Sequence, residues 1–251
     1  MKLSFSIPAH NEEKRIGQCL ESVQKEIARA KMESDTEIVV VNNASNDRTK
    51  EIALSYPGVR VVDEMQKGLT HARQAGFVAS TGALIANVDA DTMVPPGWLD
   101  TVMRAFEKDP QLVALSGPYI YFDLSPAARF FVKVFYAVGY VTYLFNKHVL
   151  HAGAMLQGGN FVVRRDAMEK IGGFDTSIKF YGEDTDVARR ISKVGKVVWT
   201  FRLPMYTSGR RLAKEGIVKI GMRYALNYLW TTFTGKPWSE TYIDIRTDWR
   251  H

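Results

Sequence analysis

The amino-acid sequence predicts an α/β protein with one mostly parallel, mixed β-sheet flanked by helices and followed by a helical C-terminal extension. Over residues 1–117, short apolar runs alternate with segments of helical periodicity, which is typical of a parallel sheet covered on both faces. Polar residues follow the first, second and fourth apolar runs. Ligands of such sheets bind there, beyond the carboxyl ends of the strands.

The individual elements follow from local patterns. The predicted strands are short apolar runs at residues 3–7, 37–41, 59–62, 83–88 and 112–115, and the predicted helices cover residues 12–29, 47–55, 68–80 and 96–107. Asn11 is the expected N-cap of the first helix. Because the N-terminal residues have the pattern of a buried strand, we expect no signal peptide.

The second half contains two unusual apolar segments. Residues 130–145 are almost wholly apolar and aromatic, with Lys133 as their only charge, and these 16 residues fall short of the roughly 20 needed to span a bilayer. Three interpretations remain open: a buried core helix, a helix on a bilayer surface, and a dimer interface. Residues 217–233 form an amphipathic segment with basic residues, which favours the bilayer surface.

Charge and cysteine content narrow the function classes. The net charge of +6 favours anionic partners such as a nucleotide diphosphate or a phospholipid surface. Since no nucleic-acid-binding motif is present, we expect no nucleic-acid partner. Cys19 is the only cysteine, which excludes an intrachain disulfide and a Cys-based zinc site and fits a reducing cytosol.

Two acidic motifs carry candidate chemistry. Asp89 and Asp91 follow the fourth predicted strand, and Mg²⁺ or Mn²⁺ is often held by one or two carboxylates together with substrate phosphates. The alternative is a solvated acidic turn. Glu183 and Asp184 precede a predicted helix over residues 187–194. A carboxylate there can accept the proton of an attacking hydroxyl, or it can cap the helix.

Two further motifs are rich in glycine or arginine. Gly158, Gly159 and Asn160 precede an apolar run, where paired glycines permit either close approach of the backbone to a ligand or a tight turn into a strand. Arg210 and Arg211 could bind a diphosphate with both guanidinium groups, or they could be ordinary surface arginines.

Taken in order, these motifs resemble the family 2 glycosyltransferases, which have the GT-A fold with a single Rossmann-like sheet. The resemblance extends over about residues 3–211 and rests on residues 7–13, 40–49, 67–68, 72–73, 89–91, 158–160, 172–175 and 183–184. It implies an inverting, metal-dependent enzyme that uses Mn²⁺ or Mg²⁺. Such an enzyme transfers a sugar from a nucleotide-diphosphate sugar to an acceptor hydroxyl or a lipid phosphate.

The resemblance also implies roles for individual residues. Asp184, with Glu183 beside it, matches the catalytic base, and Asp91, supported by Asp89, matches the metal ligand. The residues near the donor sugar and acceptor would be Gly158, Gly159 and Asn160. The nucleotide-binding residues would be Pro8, Ala9, Asn11, Glu12, Asn42, Asn43, Lys67, Gly68, Arg73, Asp89, Arg210 and Arg211.

One motif departs from the family pattern. Asn42 and Asn43 stand where the family usually has two aspartates, one of which accepts the N–H of a uracil ring. An Asn carbonyl oxygen can also accept this hydrogen bond. We therefore expect a UDP-sugar donor, with a GDP-sugar as the alternative.

We expect one glycosyltransferase domain over residues 1–251, with a nucleotide-binding half at 1–117, an acceptor-side half at 118–211 and a helical extension at 212–251. The expected location is the cytoplasm, with peripheral contact on the inner face of the cell membrane and a glycan or lipid-linked acceptor. The oligomeric state remains open.

Two other functions remain as alternatives. A sugar nucleotidyltransferase usually carries a glycine-rich N-terminal loop, and residues 5–11 contain no glycine. A non-catalytic nucleotide-sugar or glycan-binding module would be expected to lose its base or metal ligand, yet Asp91 and Asp184 are present. No Walker-type or dinucleotide-binding glycine motif occurs, which disfavours P-loop enzymes and dehydrogenases.

Overall fold

The computed structural model describes residues 1–148, 154–235 and 238. Its strands are β1 (Leu3–Ala9), β2 (Thr36–Asn43), β3 (Val59–Glu64), β4 (Leu84–Val88), β5 (Thr92–Met93), β6 (Leu112–Ser116), β7 (Tyr119–Tyr121), β8 (Asn160–Arg164), β9 (Lys196–Trp199) and β10 (Met205–Thr207). Its helices are α1 (Ile16–Ala30), α2 (Thr49–Leu54), α3 (Leu69–Ala79), α4 (Trp98–Lys108), α5 (Pro126–His148), α6 (Arg165–Lys170), α7 (Glu183–Ile191), α8 (Arg210–Glu215) and α9 (Ile217–Thr234).

A seven-stranded sheet forms the centre of the fold, in the order β3-β2-β1-β4-β8-β6-β9. Neighbouring strands are parallel except β8, which runs antiparallel to both β4 and β6. A second sheet of three short strands has the order β5-β10-β7. The predicted α/β class with a mostly parallel, mixed sheet is therefore confirmed.

Apolar side chains from both faces of the sheet form two core clusters. On one face, Phe5 and Ile7 of β1 pack with residues of α1 and α4, including Leu20 and Leu99. On the other face, Phe161 of β8 packs with residues of α3, α6 and α7. Every residue of β1 is buried, as expected for a parallel strand covered on both sides.

The first helix begins four residues later than the pattern predicts. α1 starts at Ile16, and Asn11 has a positive φ of 52° instead of capping the helix. The side-chain oxygen of Asn11 accepts a hydrogen bond from the Asn46 backbone N–H at 2.9 Å, and the Glu12 N–H donates to Thr49 Oγ1 at 2.7 Å. These contacts with the segment after β2 hold residues 11–12 outside the helix.

The apolar segment around residue 135 forms a longer helix than predicted. Pro126, a residue favoured at the first helical position, starts α5, which spans 23 residues. Residues Pro126–Phe145 are long and apolar enough to cross a membrane by length and composition, and only 11% of their apolar window is buried. The expectation that this segment is too short is therefore wrong, and so is the interpretation as a buried core helix.

The predicted C-terminal helical extension corresponds to α8, which begins at Arg210, and to α9. The part of the predicted extension at residues 236–237 and 239–251 lies outside the described residues. Within the described part, α9 contacts both α7 and α5, so the extension packs beside the segment that carries the predicted catalytic acid.

A buried carboxylate of α1 caps the N-terminus of α4. The Glu26 side chain is 1% exposed. It accepts hydrogen bonds from the backbone N–H groups of Gly97 at 3.1 Å and Leu99 at 2.8 Å, and from Arg29 at 2.7 Å. The first N–H groups of a helix have no partner inside it, so this carboxylate satisfies donors that α4 itself leaves unpaired.

We expect Glu26→Ala to lower the free energy of unfolding by about 2–4 kcal/mol, because buried donors then lose a charged acceptor. Urea denaturation followed by circular dichroism measures this. Glu21→Ala on the same helix is the control, since its pair with Lys25 is exposed at 54% and 79% and is worth less than about 1 kcal/mol. Equal losses in the two variants would contradict the capping role.

Candidate active site

The direction of β8 brings two predicted motifs together. Asp89 directly follows β4, and the glycines at 158 and 159 directly precede β8. In the antiparallel pairing of these strands, Asn160 lies opposite Val88. A Cβ atom added to Gly159 would lie only 2.2 Å from the Asp89 carboxyl group, so glycine is required for this close approach.

A buried arginine of α3 joins the acidic motifs. The Arg73 side chain is 1% exposed, and its guanidinium contacts Asp89 Oδ1 at 3.0 Å and Glu183 Oε1 at 3.2 Å. It also lies 5.6 Å from the centroid of the Phe161 ring. Arg73 was predicted to bind nucleotide. The structure instead places it beneath the site, where it pairs with two carboxylates that are 94 positions apart in the chain.

The predicted catalytic acid lies in the same cluster. Asp184 Oδ2 accepts a hydrogen bond from the Gly158 N–H at 3.0 Å, and Oδ1 accepts one from the Thr185 N–H at 2.8 Å. Glu183 is only 5% exposed and is paired with Arg73, so its carboxylate is less available to a substrate than that of Asp184. The acidic motif after β4 and the acids at the start of α7 therefore converge.

Burial changes the proton affinity of both acids. The pKa of Asp184 is raised above the ordinary aspartate value by burial, and the hydrogen bond from Thr185 and the charge of Arg73 partly oppose this shift. Burial raises the pKa of Glu183 to about 8, with Arg73 again opposing. A raised pKa is the usual condition of a carboxyl group that takes up a proton in catalysis.

Tyr119 is a site residue that the sequence analysis missed. Its hydroxyl donates to Asp89 Oδ2 at 3.1 Å and accepts a hydrogen bond from the Gly159 N–H at 3.0 Å. The residue lies in the three-residue strand β7, and no local motif marks it. Only the pairing of distant strands brings its hydroxyl to the acidic cluster.

A second cluster surrounds Asp91. Arg210, at the start of α8, contacts Asp91 Oδ2 at 2.9 Å and also pairs with the Glu12 carboxylate. Glu12 was predicted to line the base and ribose, but its side chain is 2% exposed and directed at Arg210. Arg211 pairs instead with Glu215 at 2.9 Å and stacks on the Phe180 ring. Only the first of the two predicted arginines therefore lies at the acidic motif.

The two asparagines after β2 have different environments. Asn42 Nδ2 donates to Asp63 Oδ1 at 2.8 Å, while its buried Oδ1 has no hydrogen-bond partner. Asn43 is fully engaged, since its Nδ2 donates to the carbonyls of Glu64 and Gln66 and its Oδ1 accepts from the Gly68 N–H at 2.8 Å. Asn43 therefore shapes the segment before α3, and Asn42 retains a free acceptor.

Four of the remaining predicted residues lie near the end of β1 or just before α3. Pro8 and Ala9 are buried at the end of β1, Asn11 follows them, and Lys67 is exposed just before α3. Asn160 was predicted near the sugar. Its side chain is fully buried instead, where it accepts a hydrogen bond from Trp98 Nε1 and donates to the Gly117 and Leu203 carbonyls. Its amide therefore fixes the backbone and does not face a substrate.

The side chains around Asp91 include carboxylate ligands suited to a divalent cation. Among the described residues, no three His, Cys, Asp or Glu side chains come together as a metal site. The Asp91 side chain is 17% exposed, and Arg210 pairs with both the Asp91 and the Glu12 carboxylates. Mg²⁺ and Mn²⁺ take oxygen ligands and commonly use one or two carboxylates completed by substrate phosphates. The residues fit a cation that binds together with a diphosphate.

A family model described as glycosyl transferase family 2 matches residues 4–172. The chain belongs to this family. A second model, described as the N-terminal domain of galactosyltransferase, matches residues 145–211. The two matches together extend over the strands and loops that carry the clustered acids.

Two curated proteins are similar to this chain over 77% and 56% of its length. Probable glycosyltransferase YdaM of Bacillus subtilis is 29% identical over 209 residues, which are 77% of this chain and 47% of that protein. Glucosyl-dolichyl phosphate glucuronosyltransferase of Haloferax volcanii is 26% identical over 146 residues, which are 56% of this chain and 46% of that protein. The chain thus spans about half the length of these curated relatives.

A solved structure confirms the GT-A fold. The mannosyltransferase PcManGT from Pyrobaculum calidifontis, in complex with GDP-Man and Mn²⁺, superposes with a TM-score of 0.67 at 20% sequence identity. The alignment covers 90% of this chain and 62% of that chain. At this identity the likeness establishes the fold alone.

The two glycines of the site offer a matched pair of variants. We expect Gly159→Ala to abolish measurable release of nucleotide diphosphate from the donor, because its Cβ would lie 2.2 Å from Asp89 and 2.4 Å from the Tyr119 hydroxyl. Gly158→Ala meets no atom closer than 3.2 Å and should lose less than about tenfold in turnover. Equal activities of the two variants in a nucleotide-release assay would contradict the packing described.

Proposed function

We propose that the enzyme transfers a sugar with inversion from a nucleotide-diphosphate sugar, with UDP as the favoured nucleotide, to an acceptor hydroxyl or lipid phosphate. The observation that carries this proposal is the meeting of Asp184 with the Asp89 cluster across Gly158 and Gly159. Asp184, which can take up a proton, therefore lies beside Asp89, which is expected near the donor diphosphate.

In the proposed reaction, Asp184 is the general base. An acceptor hydroxyl loses its proton to the carboxylate as its oxygen attacks the anomeric carbon. The new bond forms as the bond from this carbon to the diphosphate oxygen breaks on the opposite side, and the electron pair leaves with the diphosphate. The two backbone hydrogen bonds to Asp184 orient the carboxylate, and each of its oxygens has further acceptor capacity.

Asp91, with Asp89 nearby, is proposed to hold Mn²⁺ or Mg²⁺ together with the donor diphosphate. When bound, such a cation neutralises charge on the leaving diphosphate. Arg210 already pairs with Asp91, so its guanidinium lies where it can bind the same phosphates. Arg73 and Tyr119 hold Asp89 in place from behind and act as positioning residues.

Asn42 supports the choice of UDP. Its buried Oδ1 has no hydrogen-bond partner, whereas its Nδ2 donates to Asp63 Oδ1 and the other Asp63 oxygen pairs with Lys50. Uracil presents one ring N–H on its pairing edge, which one acceptor satisfies. Guanine presents adjacent ring and amino donors, which a carboxylate would match better.

A lipid-linked acceptor, and a location in the cytoplasm with contact to the inner face of the cell membrane, belong to the same proposal. One of the relatives is named for such an acceptor, glucosyl-dolichyl phosphate. We also propose that the chain is divided into a nucleotide-binding half at 1–117, an acceptor-side half at 118–211 and an extension at 212–251.

We expect Asp184→Asn to lower turnover by about 10²–10⁴-fold, the usual cost of removing a positioned base.

We expect the Asp91→Ala variant to lose the response of turnover to Mn²⁺, and EDTA should stop the wild-type reaction. The assay measures UDP or GDP released from a panel of nucleotide sugars. Asp166→Asn, at a side chain that is 68% exposed, is the control. Donor binding without turnover on any acceptor would favour a binding module.

The raised pKa of Asp184 predicts the pH dependence. Only the ionised carboxylate can accept a proton, so kcat/KM should fall as the pH drops through the pKa of this group. Because burial raises that pKa above 3.8, the acid limb should be centred above this value. Initial rates between about pH 4 and 9 test this. A profile that stays flat down to pH 4 would be inconsistent with Asp184 as the base.

A further inference from the structure

Two helices expose large apolar side chains in regular rows. On α5 the row is 45–66% exposed and comprises Phe130, Val134, Val138, Val141 and Phe145. On α9 the row is 40–75% exposed and comprises Val218, Met222, Leu226, Leu229 and Phe233. Both rows have the same spacing of 4, 4, 3 and 4 residues, which places each row along one side of its helix. We call these ten residues the α5–α9 face.

The opposite sides of both helices pack on the protein. On α5, Val132 and Tyr143 are buried at 8% and 3% exposure, and Tyr136 stacks on Trp199 with ring centroids 6.0 Å apart. On α9, Ile220 is fully buried. α5 therefore rests along the protein from residue 132 to residue 143. This is the arrangement of a helix that lies in a membrane surface with one side in the bilayer.

The two helices adjoin each other. A Cβ atom added to Gly221 of α9 would lie 3.5 Å from the Phe135 ring of α5. Phe135 is itself 40% exposed, so exposed apolar surface reaches the contact between the two helices. Large exposed apolar surfaces mark interaction sites.

The charges on these helices select the partner. Neither α5 nor α9 contains an Asp or Glu, while Arg129, Lys133 and Lys219 are exposed on them. Basic residues beside an apolar side attract anionic lipid headgroups, each contributing electrostatically near the membrane surface. A second copy of this face would bring the same positive charges together.

Both helices also contact residues that lie next to the acidic cluster of Asp89, Glu183 and Asp184 in the sequence or in space. The Tyr136 hydroxyl of α5 donates to Gln157 at 2.9 Å, immediately before the glycine pair, and accepts from the Tyr119 N–H at 3.1 Å. Arg223 of α9 donates to the Tyr181 hydroxyl at 3.2 Å, two residues before Glu183. A surface bound to these helices would therefore adjoin the acceptor side of the site.

We propose that the α5–α9 face docks the enzyme on an anionic phospholipid bilayer. This placement favours the lipid-linked acceptor over a soluble one, a consequence that rests on the proposed function. The docking itself does not require that function.

The test is flotation of the full chain with vesicles, without donor or metal. We expect binding to vesicles of phosphatidylcholine with phosphatidylglycerol, weaker binding to phosphatidylcholine alone, and weakening at high salt. Val138→Glu and Met222→Glu, one on each helix, should each lower the bound fraction at least tenfold. Leu54→Glu and Val78→Glu are matched controls, since these side chains are 58% and 69% exposed on α2 and α3, and they should leave binding unchanged.

Three results would overturn the proposal: no binding to any vesicle, equal loss in the control variants, or a dimer in sedimentation equilibrium that Val138→Glu disrupts while vesicles remain unbound. The last would assign the face to a second copy. Release of UDP or GDP from nucleotide sugars is measured in parallel, both with and without vesicles. Vesicle binding without any release would refute the proposed function and leave the docking surface standing.

Discussion

The arrangement of the site depends on one buried positive charge. A guanidinium removed from water costs several kcal/mol unless a negative charge compensates it. Arg73 is compensated by Asp89 from the end of β4, and it also contacts the Glu183 carboxyl group at the start of α7, whose pKa burial raises to about 8. The three side chains come from segments that are far apart in sequence. The contacts of Arg73 with Asp89 and Glu183 therefore fix the distance between the donor-side acids and Asp184, which follows Glu183 directly.

The antiparallel strand β8 supplies the second constraint. Because it enters the sheet against the direction of its neighbours, the glycine pair that precedes it arrives at the edge where the parallel strands end. The Gly158 and Gly159 N–H groups then bind Asp184 and Tyr119. One reversal of strand direction thus brings backbone donors into a site that also contains acidic, basic and tyrosine side chains.

The sheet and the acidic motifs could be predicted from sequence because hydrophobic periodicity and motif order are local properties. The site contacts that were missed depend on long-range pairing. Tyr119 reaches Asp89 only through the short strand β7, and Glu12 turns to Arg210, which lies 198 residues later. The exposure of α5 was also beyond local reasoning, because an apolar helix has the same sequence pattern whether it meets a core or a membrane.

The amide of Asn43 couples the departure from the family pattern to the local backbone. It donates to two carbonyls of the segment before α3 and accepts from the Gly68 N–H. An aspartate could still accept the hydrogen bond from the Gly68 N–H, but it could not donate to the two carbonyl groups. Its negative charge would instead face both carbonyl oxygens. An aspartate at position 43 would therefore require a different conformation of residues 64–68, so the identity of this side chain and the shape of the segment before α3 depend on each other.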